Sequence, residues 1–200
     1  FKDFKELYSD RITSNPVKFP GFRDAIEDAL ENGIVPCGVV TGLGTFTYED
    51  NSDCSRGKKL KSKKHKADYR VGLVLSNVEF QAGSFDMASC EKVCRLMDDC
   101  ARLKLPVIFF ISSAGMQTKE GGGSLFSMAV INERITRFVK DLDLPVVCFG
   151  FRDCTGGAQA SFVTHLLAKT YYFSGAQIPF AGQLVVESHL PAHSTLSNYL

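Results

Sequence analysis

Long apolar runs are missing from this chain. A membrane-spanning helix needs about 20 consecutive apolar residues. The strand-like stretches here stop within about ten. No membrane contact is therefore expected. No charged-then-apolar leader opens the sequence either, so no secretory signal is expected. The expected compartment is the cytoplasm, or an organelle if a targeting segment has been removed. A strong charge of either sign is also lacking. The net charge is +1, which gives no global field to draw in nucleic acid or a membrane surface. Cysteines are present, seven of them, but no two form a C-x-x-C pair. An odd count set in apolar patterns fits a reducing compartment rather than a disulfide framework. It also makes a structural zinc site, or any other metal site, unexpected.

Several catalytic signatures are absent too. There is no G-x-S-x-G, so a serine hydrolase would lack its nucleophile elbow. There is no G-x-G-x-x-G and no P-loop. His189 and His193 are four apart, but Pro191 between them spoils a helical metal pair. His65 lies among lysines. His165 falls inside a helical pattern and reads as packed or exposed rather than catalytic.

What is present is an ordinary globular balance: 200 residues, 44% hydrophobic and 22% charged. This suits one domain, 1–200, with a normal core. Residues 1–19 read as a polar, aromatic opening. A helix over 22–30 follows, then a strand over 37–48. Residues 49–70 carry Lys58, Lys59, Lys61, Lys63, Lys64 and Lys66 with almost no apolar residues. They read as a long, mobile basic loop. It is either a solvated insertion or a contact for the phosphates of a nucleotide-bearing substrate.

Strands then alternate with helices. Strands are expected at 71–78, 106–111, 145–151 and 169–174. Helices are expected at 86–104, 124–141 and 156–168. The first of these helices should turn Cys90, Val93, Cys94, Met97, Cys100 and Leu103 inward, as core rather than as ligands. The second should turn in Leu125, Met128, Ile131, Ile135 and Phe138. The alternation predicts an α/β fold.

Ligands of open α/β sheets bind at the carboxyl ends of strands. Two such ends here are rich in small residues: Ser112-Ser113-Ala114-Gly115, and Thr155-Gly156-Gly157 opening a helix. Small residues let a ligand approach the backbone, and free N–H groups at a helix start attract negative charge. Such donors suit a carbonyl oxygen that becomes negative during reaction. The alternative is that Gly156-Gly157 merely permits tight helix–strand packing. Glu120, beside a Gly-rich turn, is either an acid–base group or a cap for the next helix.

At these residues the sequence resembles the β subunit of acetyl-CoA carboxylase carboxyltransferase. The shared motifs occur in the same order. They begin with Phe4-Lys5-Glu6-Leu7, Asn15-Pro16-Val17-Lys18-Phe19, Val40-Thr41-Gly42 and Gly83-Ser84. They continue with Ser113-Ala114-Gly115, Glu120-Gly121 and Ser124-Leu125. The last are Thr155-Gly156-Gly157 with Ala160-Ser161-Phe162, and Phe180-Ala181-Gly182 followed by Glu187. The resemblance covers almost the whole chain apart from the basic loop.

It implies a crotonase-like (ClpP/crotonase) fold of repeated β-β-α units. It also implies carboxyl transfer from carboxybiotin to acetyl-CoA, giving malonyl-CoA for fatty acid biosynthesis. Biotin would arrive on a separate carrier protein, with acyl-CoA as substrate. The implied partners are an α-type carboxyltransferase subunit or domain and the biotin carboxyl carrier protein, in a hetero-oligomer. The amides of Gly156 and Gly157 would hold the biotin carbonyl. Ser113, Ala114, Gly115, Thr155, Phe180, Ala181 and Gly182 would bind substrate. The α-type partner would hold the thioester oxygen. The liberated biotin nitrogen would take the substrate proton, so no side-chain base is required.

The sequence departs from the family where Gln117 replaces a usual Arg and where Gln183-Leu184 replaces Pro-Arg. The family's four-Cys zinc ribbon is absent, and the basic loop is extra. Three other readings stand beside the carboxyltransferase one: a malonyl thioester decarboxylase subunit using the same amides with the carboxyl flow reversed, a hydratase or isomerase acting through Glu120, and a non-catalytic crotonase-like interaction subunit. The missing Arg residues favour the last, and the retained Thr155-Gly156-Gly157 disfavours it.

Overall fold

A computed structural model describes residues 1–49 and 66–182. They build a six-stranded sheet in the order β1-β2-β3-β4-β5-β6. The strands are β1 (Lys2–Leu7), β2 (Val39–Glu49), β3 (Lys66–Ser76), β4 (Val107–Ser113), β5 (Val146–Cys154) and β6 (Lys169–Tyr172). The first three pair antiparallel and the last four run parallel. Helix α1 (Phe22–Glu31) precedes β2, α2 (Met87–Leu103) joins β3 to β4, and α3 (Gly122–Lys140) joins β4 to β5. Short α4 (Gly156–Ala158) continues as a π-helical turn over Gln159–Val163 before β6.

The parallel strands follow chain order. Right-handed crossovers of one sense therefore stack α2 and α3 on the same face. The strands show this by alternation. Val107, Phe109, Ile111, Val146 and Cys148 are buried in one core with Val93, Leu96, Met97, Cys100, Ile131, Ile135 and Phe138 of the helices. The opposite face carries a row of rings. Phe110 stacks on Phe149 at 5.2 Å, and Phe149 on Tyr171 at 5.4 Å.

Helix α2 starts where Asp86 accepts the Ser89 N–H at 2.6 Å, a side-chain cap for an otherwise orphaned donor. It stops at Lys104, whose backbone is left-handed (φ 54°).

Four sequence expectations need correction. First, the polar, aromatic opening, for which no strand was expected, contains an edge strand over residues 2–7. Its side chains are mostly exposed, so it has no apolar alternation to announce it. Second, the basic loop does not extend over 49–70. Glu49 pairs with Lys66, and the β2–β3 ladder runs unbroken from there to Val39 opposite Ser76. These ends are polar because both strands project beyond the core. The remainder of that expectation, 50–65, lies outside the described residues. Third, two helical side chains face outward instead of inward: Leu103 is 51% exposed and Leu125 is 55% exposed. On α3 the buried stripe runs through Ser124 and Ser127. Their hydroxyls are satisfied by Gly121 O and Gly123 O, each at 3.0 Å. Fourth, the helix expected over 156–168 ends at Val163.

Candidate active site

The two Gly-rich strand ends meet. Thr155 N–H donates to Ser113 O at 2.9 Å. Gly115 (φ 111°) fits against the second loop so closely that a Cβ there would lie 3.2 Å from Thr155 O and 3.4 Å from Gly157 N. A Cβ at Gly156 would lie 3.8 Å from Ala114 O and 4.0 Å from Phe180 O. Ala181 is buried beside this loop region. A cleft of about 320 Å³ opens here, lined by Val78, Ala82, Ser112, Ser113, Ala114, Arg152, Asp153, Thr155 and Gly182. Gly156 and Gly157 follow Thr155 directly and are half-buried; they are not part of the lining itself.

The amides of the two loops differ in availability. Ala114 N–H is used by Ala82 O at 3.1 Å, and Gly115 N–H by Ser113 Oγ at 3.1 Å. The first loop is therefore a fixed wall. Gly156 and Gly157 sit in the first turn of α4, where N–H groups have no intrahelical acceptor. Among the described residues no loop or side-chain acceptor takes either of them.

The two glycines serve different ends. Gly156 has φ 55°, a left-handed conformation that side chains rarely adopt. Gly157 is needed for packing, since a Cβ there would lie 2.5 Å from both Met116 Cγ and Met128 Sδ. Close packing, one of the two alternatives on sequence alone, thus accounts for Gly157, while Gly156 is required by its backbone conformation.

Two features of the cleft carried no sequence signal. One is a bulge in β5. Ile111 pairs with Gly150 and Ser113 with Cys154, so between these pairs one residue of β4, Ser112, faces three of β5, Phe151, Arg152 and Asp153. The surplus pushes out both Arg152 and Asp153, which are exposed although adjacent on a strand. The other is a left-handed turn at Gln81, Ala82 and Gly83, with φ of 47°, 51° and 67°. Strained backbone of this kind clusters at ligand sites. Here it aims Ala82 O at the Ala114 amide.

Glu120 is buried and occupied. One carboxylate oxygen accepts from the Thr13 hydroxyl, the other from Met87 N–H at 2.6 Å. It thus caps the start of α2, not the helix that follows it in sequence. Burial holds its carboxyl above the usual Glu range, with a further push from nearby Asp86. The folded state therefore favours the protonated form. That part of its stability is present below the unfolded Glu value of about 4.3 and is lost as pH rises through the folded one. Glu120→Gln should accordingly gain on wild type in urea midpoint as pH is raised from about 4 to 7. A constant difference would contradict the assignment.

His165 is also engaged. Nδ1 accepts Leu167 N–H at 3.1 Å, and Nε2 meets the Thr136 hydroxyl at 3.1 Å. Thr136 spends its proton on Asn132 O. The ring is then neutral with its proton on Nε2, consistent with burial lowering its pKa. Among the described residues, no cluster of three or more His, Cys, Asp or Glu side chains could hold a metal ion, and no helix is long and apolar enough to cross a membrane.

No protein-family model matches the chain. Individual proteins do. The chain is 32% identical over 190 residues to the acetyl-coenzyme A carboxylase carboxyl transferase subunit beta 1 of Lachnospira eligens, covering 93% of this chain and 64% of that protein. It is 30% identical over 191 residues to the corresponding beta subunit of Clostridium kluyveri, covering 93% of this chain and 56% of that one. The chain thus spans less than two thirds of these relatives' length.

Among solved structures, transcarboxylase 12S with hydrolysed methylmalonyl-coenzyme A superposes with a TM-score of 0.69 at 21% identity, over 98% of this chain and 32% of the other. A Pseudomonas malonate decarboxylase hetero-tetramer in complex with malonate gives a TM-score of 0.61 at 20% identity, over 99% of this chain and 62% of the other. The ordered motifs, the mixed sheet and these likenesses agree: the chain is similar in sequence to the acetyl-coenzyme A carboxylase carboxyl transferase β subunits and shares its fold with the transcarboxylase 12S and malonate decarboxylase structures.

Proposed function

We propose that this chain is the β-type half of an acetyl-CoA carboxyltransferase, forming malonyl-CoA for fatty acid biosynthesis in the cytoplasm. It would form one domain that works with an α-type subunit and a biotinylated carrier protein. The observation that carries this reading is the pair of glycine N–H groups, Gly156 and Gly157, which have no loop or side-chain acceptor among the described residues at the carboxyl end of β5. Biotin on its carrier supplies the activated carboxyl group. The two amides would hold its ureido oxygen, which becomes negative as the carboxyl group leaves. Well-placed fixed donors are worth roughly 2.7–4 kcal/mol each in such sites, because they need no reorganisation. Ser113, Ala114, Gly115, Thr155, Phe180, Ala181 and Gly182 would shape the seat for the substrate. Both oxygens of Glu120 are engaged, one by the Thr13 hydroxyl and the other by Met87 N–H at the start of α2, so an acid–base role over the substrate has no support.

The test is reconstitution with an α-type partner and biotin, following malonyl-CoA formation. Glu120→Gln should lower turnover less than about threefold. Near-complete loss would instead favour a hydratase or isomerase. The likeness to malonate decarboxylase gives a second reading, a subunit that decarboxylates malonyl thioesters. Release of CO₂ from malonyl-CoA with no acceptor present would select it.

A further inference from the structure

The cleft offers two kinds of recognition. The amides of Gly156 and Gly157, next to its lining, suit a carbonyl turning negative; a carboxyl group in transit is already an anion, which a cation in the lining would hold as well. Among the described residues, Arg152 is the one cationic side chain in the lining. Six described arginines, Arg11, Arg23, Arg95, Arg102, Arg134 and Arg137, each have an acidic partner; Arg70, on β3, is not in the lining. Arg152 enters no ion pair among the described residues, although Asp153 is its neighbour. A guanidinium matches a carboxylate with two parallel N–H···O bonds. The β5 bulge is what brings it to the rim, since a regular strand would turn Arg152 and Asp153 to opposite faces.

We propose that Arg152 recognises the carboxylate being transferred, and so sets the preference for a malonyl-type over an acetyl-type thioester. This rests on the carboxyltransferase reading above. The adjacent Asp153 opposes the same anion and limits the preference.

The experiment uses the complex with its α-type partner and measures KM for malonyl-CoA (carboxyl transfer to biotin) and for acetyl-CoA in the forward direction. Loss of a charge-assisted bond corresponds to about 10- to 100-fold. Arg152→Gln should raise the malonyl-CoA KM by that factor and leave the acetyl-CoA KM within about twofold. Arg152→Lys should recover part of the loss, and Asp153→Asn should lower the malonyl-CoA KM. Equal shifts for both thioesters, or no shift, overturn the proposal. If the wild-type complex moves no carboxyl group, the functional reading fails by itself. Arg152 is then judged by equilibrium binding of malonyl-CoA against acetyl-CoA. A wild-type preference for malonyl-CoA that Arg152→Gln removes supports the assignment, and its persistence or its absence in wild type refutes it.

Discussion

Gly156→Val should cut carboxyl transfer by about 10²–10³-fold, the loss expected when one oxyanion donor is misplaced. Space is not the obstacle, since a Cβ there would make only ordinary contacts at 3.7–4.0 Å. The obstacle is conformation. At φ 55°, a β-branched residue costs roughly 1–2 kcal/mol more than glycine. It should relieve this by turning the 156–157 peptide, and with it the N–H groups. The fold should survive, with a thermal midpoint lower by a few degrees, because about 1 kcal/mol is worth roughly 2–4 °C in a domain of this size. Gly157→Ala is the contrasting variant. Its methyl would press on Met116 and Met128, an overpacking worth about 1–3 kcal/mol. Normal turnover by Gly156→Val would remove the proposed role of these amides.

The second large effect is on stability. Asp86 is fully buried and joins two parts of the fold. It accepts Ser89 N–H at 2.6 Å on α2 and Gly38 N–H at 2.9 Å before β2, with the Cys37 thiol at 3.6 Å. Asp86→Ala strands both amides in the interior, at about 1–3 kcal/mol each. Part of this is offset because a buried carboxylate, whose pKa burial pushes up, no longer has to be held. The net loss should be about 2–4 kcal/mol. It would appear as a lower urea midpoint at unchanged slope. Asp86→Asn keeps one acceptor oxygen and should lose less. An unchanged midpoint in Asp86→Ala would mean that water replaces the carboxylate.

The central part of the fold was readable because β3, β4 and β5 carry apolar cores and α2 a regular stripe. What escaped was set by neighbours. β1 is a strand because β2 offers an edge, not because KDFKEL has a β pattern. Leu125 looked like core, but the helix phase gives that place to Ser124 and Ser127, whose hydroxyls are satisfied locally. At the candidate site, small residues at strand ends were visible as glycines and serines. Which amides are spent and which stay free depends on Ala82 and on the Ser113 hydroxyl. The β5 bulge arises from the pairing of two strands, so no local signal could place Arg152 on the cleft.

The strictly sequential order of the sheet also bears on how the chain reaches its native state. Each strand finds its neighbour next along the chain, so no segment must be threaded between two already formed. Loop-closure cost grows only slowly with length. The helical crossovers therefore set similar barriers, and the sheet can lengthen from β1 towards β6 as synthesis proceeds. The same route leaves an unpaired edge at every intermediate stage, which makes the half-built sheet, more than the finished one, the species prone to aggregate.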